Sequence, residues 1–370
     1  MKRISFISML LSLSLLSGCA DQINIEDISL TLLVGIDLDE ENRLVFSSSS
    51  PVFNVEAKEK EEKTVVFADT LRESREKFDA TVTALTSRGK LQVLLLGKRL
   101  LQHKDWFSLV DTMYRDGKNT VVSRIALVDG PVSEIVTFNP KDKPRLPIYL
   151  AKLIDTSEER NIGVLTTLQE LHRQFMEKGV TPNLTELKKD GTIQVSGTAL
   201  LDNSGKYKLK IKTDETKLMR LLQKEKGGVF TITIGLPDQP GKGIFHENML
   251  SFTPLTISVK TKTDYKEDKF KFDMKVKLRI AMNERLFPYD VKYKAPQLEK
   301  EIQSELQQQF MQLIKKFQTA KIDPIGFGLY ARAYEYPHWL KVQDRWGEVF
   351  SEAEVNVKTD VKIQSMGSIK

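Results

Sequence analysis

One cysteine, Cys19, stands in 370 residues, and it closes the most apolar stretch of the chain. A single thiol cannot form an internal disulfide framework or a Cys-rich zinc module, so every domain here has to be held by its own hydrophobic core. The residues before that cysteine set the second constraint. Met1-Lys2-Arg3 is a short basic start, Ile4 to Leu16 is an apolar run, and Ser17-Gly18 are small residues where a peptidase cuts. The run is 13 residues long where a spanning helix needs about 20, so it reads as an export leader and not as a transmembrane anchor.

Leu16-Ser17-Gly18-Cys19 resembles the bacterial lipobox, in which the cysteine thiol takes a diacylglyceryl group and the bond before it is cleaved. Gly18 is then the last residue of the leader. Cys19 becomes the first residue of the mature chain, expected as an N-palmitoyl, S-diacylglycerol cysteine. One acyl chain holds a membrane marginally, whereas two chains at about 0.8 kcal/mol per buried CH₂ hold it effectively for good. The expected product is a lipid-tethered protein on the extracytoplasmic face of a membrane.

The remaining length fits about two domains at roughly 150 residues each. With 40% hydrophobic and 29% charged residues, each has material for a core, which excludes intrinsic disorder. The net charge of +6 becomes +4 once Lys2 and Arg3 leave with the leader. Acids and bases alternate along most of the chain, as in Glu56 to Lys63, and this pattern excludes the basic, aromatic-lined face of a nucleic-acid binder.

The pattern after the leader is α+β and multi-domain, with mixed and antiparallel sheets and packed helices. Residues 19–28 are a lipidated tether, 29–190 an N-terminal α/β domain with room for two subdomains, and 191–370 a C-terminal α+β domain. Ser29 to Asp37 and Arg43 to Pro51 read as a hairpin, and Glu56 to Lys63 as a solvated loop. Asp69 to Ser87 reads as a helix capped by Asp69. Leu91 to Leu96, ended by Gly97, reads as a central strand, Trp106 to Tyr114 as a helix, and Thr120 to Val128 as the next strand. Helices at Pro147 to Ile154 and Leu165 to Lys178 lead to a linker at Thr181 to Gly191.

Thr192 to Leu201 and Tyr207 to Lys212 flank Asn203-Ser204-Gly205 as a hairpin that opens the second domain. A short helix to Gln223 and strands at Val229 to Ile234, Leu255 to Thr263 and Lys269 to Ala281 follow. In the last of these, Lys271, Asp273, Lys275 and Lys277 alternate with Phe272, Met274, Val276 and Leu278, giving one wet and one buried face and predicting an antiparallel sheet. Pro296 starts a long helix whose apolar residues recur from Leu298 to Phe317. Val355 to Ile363 alternates as a final strand.

Catalytic motifs are absent. His103, His172, His246 and His338 have no metal-binding spacing, and there is no nucleophile elbow and no phosphate loop. Gly326-Phe327-Gly328 lacks the third glycine and the preceding strand of a dinucleotide site. No cofactor, metal or catalytic residue is expected. Asp323 can accept backbone N–H bonds, Pro324 stops the long helix, and Gly326 and Gly328 allow positive φ or close approach around Phe327. This turn reads as structural, with a subunit interface as the alternative. Trp339 and Trp346, seven residues apart, read as core anchors on one helical face.

Four segments carry a resemblance. They are Leu-Ser-Gly-Cys at 16–19 followed by Leu-Val-Gly-Ile-Asp at 33–37, Leu-Gln-Val-Leu-Leu-Leu-Gly at 91–97, Tyr114-Arg115-Asp116, and Asp-Pro-Ile-Gly-Phe-Gly-Leu-Tyr at 323–330 with Trp339, Trp346 and the closing strand. The chain resembles the Ger(x)C lipoproteins, the C subunits of spore nutrient germinant receptors, from the lipobox to the last strand. Asp21-Gln22 departs from the aromatic-Asp or aromatic-Asn common after the lipidated cysteine. The resemblance implies a subunit anchored by Cys19 to the spore inner membrane, working with two integral-membrane subunits, the A and B types, in nutrient sensing. A solute-binding lipoprotein of a transporter and a tethered envelope enzyme share the leader and stand as the alternatives.

Overall fold

A computed structural model describes residues 27–366 of the chain, apart from Thr83, Lys226 and 238–247. The leader, Gly18, Cys19 and most of the expected tether, together with His246, lie outside the described residues. Strand β1 (Ile28–Leu30) opens the fold, and β2 (Leu33–Leu38) and β3 (Leu44–Pro51) form the expected hairpin. Next comes β4 (Glu61–Phe67). The stretch expected to be a loop therefore already holds a strand at Glu61, whose carboxylate accepts the Leu146 N–H at 2.6 Å. A charged residue without apolar periodicity conceals that role in the sequence.

Helix α1 spans Leu71–Asp79, shorter than expected, and its cap is Thr70, whose Oγ1 accepts the Glu73 N–H at 3.0 Å. Thr70 rather than Asp69 caps because a capping oxygen must reach the N–H three residues on. The remainder of the expected helix becomes β5 (Leu85–Ser87), parallel to β1. Then follow β6 (Val93–Gly97), α2 (Phe107–Arg115), β7 (Arg124–Val128), α3 (Val132–Val136), α4 (Leu146–Glu159) and α5 (Leu168–Met176).

The expected linker is strand β8 (Asn183–Asp190), and it pairs with β9 (Thr192–Leu201), which turns into β10 (Tyr207–Ile211). All three belong to one eight-stranded sheet of order β10-β9-β8-β7-β6-β2-β3-β4, so the hairpin expected to open a second domain completes the first sheet instead. Asn183 to Leu187 are buried, and a polar stretch with Leu184 and Leu187 as its two apolar side chains gave no sign of it. Strands β2, β6, β7 and β8 run parallel, with helices on both faces: α1, α2 and α5 cover one core, α3 and α4 the other.

The second unit holds α6 (Thr213–Gln223), β11 (Ile232–Gly235), the long hairpin β12 (Met249–Lys266) and β13 (Lys269–Arg285), and helix α7 (Val291–Thr319). After it come α8 (Phe327–Tyr334), α9 (Tyr336–Trp339), α10 (Trp346–Glu352) and β14 (Glu354–Ser365). The sheet is antiparallel from β11 through β13, as expected. β14 then joins β13 in parallel, because the helices α7 to α10 form a crossover that returns the chain to the same end.

Pro296 lies inside α7 rather than at its start, the helix being capped one and a half turns earlier by Asp290, whose side chain accepts from the Tyr293 N–H. From Leu298 to Phe317 the apolar stripe of α7 packs on the inner face of this sheet. Its polar side guards the open edge of β14, where Glu299 accepts the Ile363 N–H at 2.9 Å and Gln307 accepts the Thr359 N–H at 3.3 Å. No helix among the described residues is long and apolar enough to cross a membrane.

Candidate functional site

The turn between α7 and α8 is built around Asp323, which has no exposed surface. Its Oδ1 accepts the Gly326 N–H at 2.8 Å, and its Oδ2 accepts the Gly328 N–H at 2.8 Å and the Trp346 Nε1–H at 2.9 Å. Burial pushes the carboxyl up to about 6 even though the donors pull the other way. Gly326 takes φ +88°, a region closed to most L residues, and precedes the first turn of α8. Pro324 does not stop the long helix as expected, because α7 already ends at Thr319 and the chain turns at Lys321 with φ +57°; the Pro324 carbonyl accepts the Gln223 side chain at 2.8 Å.

Gly328 is pressed against a distant part of the chain. A Cβ there would stand 2.7 Å from both Cα and O of Gly179 and 2.8 Å from Trp346 Nε1. The Thr181 N–H donates to the Asp323 carbonyl at 2.9 Å, and Arg332 and Lys178 add exposed ion pairs to Glu177 and Asp344. The turn therefore fastens the loop before β8 to the second unit. Phe327 is buried between Phe272 and Phe350, with ring centroids 4.9 and 5.3 Å away. Trp339 and Trp346 are both buried and meet edge to face at 5.0 Å, but they sit on separate helices, α9 and α10, and not on one helical face. The break between them brings the rings together where a continuous helix would have set them side by side.

A second constellation stands at the carboxyl ends of the parallel strands. Asp37, at the end of Leu-Val-Gly-Ile-Asp, accepts the Leu38 N–H at 2.8 Å and the Val132 N–H at 3.0 Å. Burial raises its carboxyl, with the backbone donors and Arg99 opposing. Gly97, at the end of the neighbouring Leu-Leu-Leu-Gly, makes room for it: a Cβ there would lie 1.7 Å from Asp37 Oδ1. The two motifs that looked separate in the sequence are thus one contact between β2 and β6, which the glycine at the end of an apolar run could have signalled.

A cavity of about 340 Å³ opens beside them, lined by Asp39, Lys98, Arg99, Asp129 and Ser133 among others. Lys98 is held by Asp129 at 2.9 Å, Arg99 by Glu40 at 3.3 Å and Asp39 by Arg43 at 2.7 Å, so its charges are already matched within the chain. Nearby Glu186, fully buried, takes Lys210 at 2.6 Å. Its place in a stretch read as a linker hid it.

No group of three His, Cys, Asp or Glu among the described residues could hold a metal ion. His338 stacks on Tyr265 at 3.8 Å and His172 packs on Tyr114 at 4.9 Å, each engaged in packing. Both constellations use carboxylates to hold backbone N–H groups, which is structural chemistry.

The comparisons with known proteins fit this architecture. A family model described as "Spore germination protein N-terminal domain" matches residues 21–189, and one described as "Spore germination B3/ GerAC like, C-terminal" matches residues 196–367. The chain is 22% identical over 400 residues to spore germination protein A3 of Bacillus subtilis (strain 168), covering 99% of this chain and 98% of that protein. It is 23% identical over 289 residues to spore germination protein B3 of the same organism, covering 75% and 74%. A solved structure titled "Crystal Structure of the GerBC protein" shares the fold, with a TM-score of 0.58, 16% identity, and coverage of 90% of this chain and 96% of that one. Matched in order along both parts and over nearly its whole length, the chain belongs to the Ger(x)C family of spore germination proteins.

Proposed function

We propose that this chain is the membrane-anchored C subunit of a spore nutrient germinant receptor, held by the Cys19 lipid on the outer face of the spore inner membrane and required for receptor assembly and the germination response. The observation that carries the reading is the collinear match of both family models over residues 21–189 and 196–367. Its work is done through protein surfaces, with the A-type and B-type integral-membrane subunits as partners and without catalysis. The internally matched charges of the cavity at the carboxyl ends of the parallel strands, and carboxylates already committed to backbone donors, support a scaffold over an enzyme. They weigh equally against a solute-binding lipoprotein. The test is affinity purification of a tagged, Cys19-intact chain from detergent-solubilised spore membranes. Both integral-membrane subunits are expected in the eluate, and recovery of the chain alone would sink the proposal.

A further inference from the structure

Strands β12, β13 and β14 present one face to α7 and the other to solvent, and the solvent face is basic. Along these strands the outward positions carry ten basic residues against five acidic ones. The register sharpens this. Lys260 lies directly opposite Lys275, and Lys275 directly opposite Lys358, so three like charges form one row across the sheet. Like charges facing each other across a ladder destabilise it, so this row is held against its own repulsion.

Lys262, Lys277 and Arg279 flank the row, and none of the six forms an ion pair within the described residues. Among the acids of this face Asp264 pairs with Lys266, Glu354 with Lys271, and Asp273 takes the Asn356 amide at 3.0 Å, while Asp273 and Asp360 stand across the ladder from Lys262 and Lys277 without closing an ion pair, so the row of Lys260, Lys275 and Lys358 is the part of the face with no acid opposite. The outward positions hold no aromatic side chain that could stack a base or fill a partner's pocket. Five of the six free cations are lysines, compact charges on flexible stems that respond to charge density rather than to a fixed hydrogen-bond geometry.

We propose that this sheet face docks on the anionic headgroups of a lipid bilayer. The inference rests on the reading that the chain is tethered to a membrane, where the face would set its orientation on the surface. Each Lys or Arg held near an anionic surface multiplies partition about fivefold, and the attraction fades beyond the Debye length of about 10 Å at 0.1 M salt.

The experiment uses the fragment from Ala20 to Lys370, which contains every described residue and so both units, and which lacks the lipid. It is co-sedimented with vesicles of phosphatidylglycerol mixed into phosphatidylcholine and with vesicles of phosphatidylcholine alone. Partition onto the anionic vesicles alone, weakening as salt rises, is expected. The triple variant K260Q/K275Q/K358Q is expected to bind at least tenfold more weakly, whereas K58Q/K90Q/K104Q, with the same loss of charge at exposed positions elsewhere, stays within a few fold of the parent. Equal binding to both vesicle types, equal losses in the two variants, or preferential capture by a single-stranded oligonucleotide would overturn it. Lipid labelling at Cys19 reads the anchor separately, so failure of this face and failure of the tether are distinguishable.

Discussion

At Gly328 a side chain would have to displace the backbone of Gly179, while at Gly326 it would meet only the flexible end of Leu329 at 3.2 Å and the strain lies in φ +88°. Gly326→Val is therefore expected to lower stability by about 1–3 kcal/mol. Gly328→Val is expected to cost roughly 3 kcal/mol or more, since backbone packed on backbone has no rotamer through which to yield. Thermal and denaturant unfolding rank the two; unchanged stability with lost receptor assembly would make the turn an interface instead. Asp323 adds a dependence on pH. Its folded pKa of about 6 lies above its ordinary 3.8, so the folded state binds the proton more tightly. This carboxyl therefore favours folding most below about pH 4, and its contribution falls as pH rises through about 6, by at most about 3 kcal/mol. Denaturant midpoints of the wild type and Asp323→Asn at pH 4.5 and pH 7 should show that slope in the first and its loss in the second; parallel curves would count against it. Sequence reading reached the acceptor and the two glycines here, because each acts on its own backbone, but it assigned the helix stop to Pro324, whereas the helix ends at Thr319 and turns at Lys321 with φ +57°. It missed Gly179, which meets Gly328 only through the fold.

Elements were legible where one periodicity ran unopposed. The apolar run ended by Gly97 became β6, and the alternation from Lys269 became β13, each with the burial its pattern demands. Elements failed where long-range pairing overrode local signal: Glu61 sits in a strand because β3 offers its free edge, and Asn183–Asp190 is a strand because β7 and β9 flank it on both sides. The contact of Asp37 with Gly97 ties β2, β6 and the start of α3 together, so one methyl group there acts on three elements. Gly97→Ala is expected to expel the Asp37 carboxylate and leave the Val132 N–H without its acceptor, a loss of about 2–4 kcal/mol. Adding Asp37→Ala frees the space that the methyl group needs, so the double variant should cost less than the sum of the single changes. Additive losses in a denaturant double-mutant cycle would show that the two residues do not act through each other.

For the molecule as a whole, the proposed anchor and the fold are tested separately. Cys19→Ala is expected to abolish incorporation of labelled lipid and to reduce germination through this receptor, whereas the wild type takes up label; an unlabelled wild type would remove the anchor from the account. The fragment from Ala20 to Lys370, titrated calorimetrically with amino acids and sugars, is expected to give no saturable heat, and a micromolar Kd for any of them would make this chain the sensor. The amino-acid sequence by itself determined the lone cysteine, the α+β class and the family, because each is written in adjacent residues or in short periods that need no partner. Only the tertiary structure decided that β8, β9 and β10 complete the first sheet, that β14 runs parallel to β13, that Asp323 and Gly328 clasp the loop at Gly179, and that Lys260, Lys275 and Lys358 stand in one row. These features depend on which strand edge or backbone surface meets another across long separations, and the chain settles that by closing its two cores together.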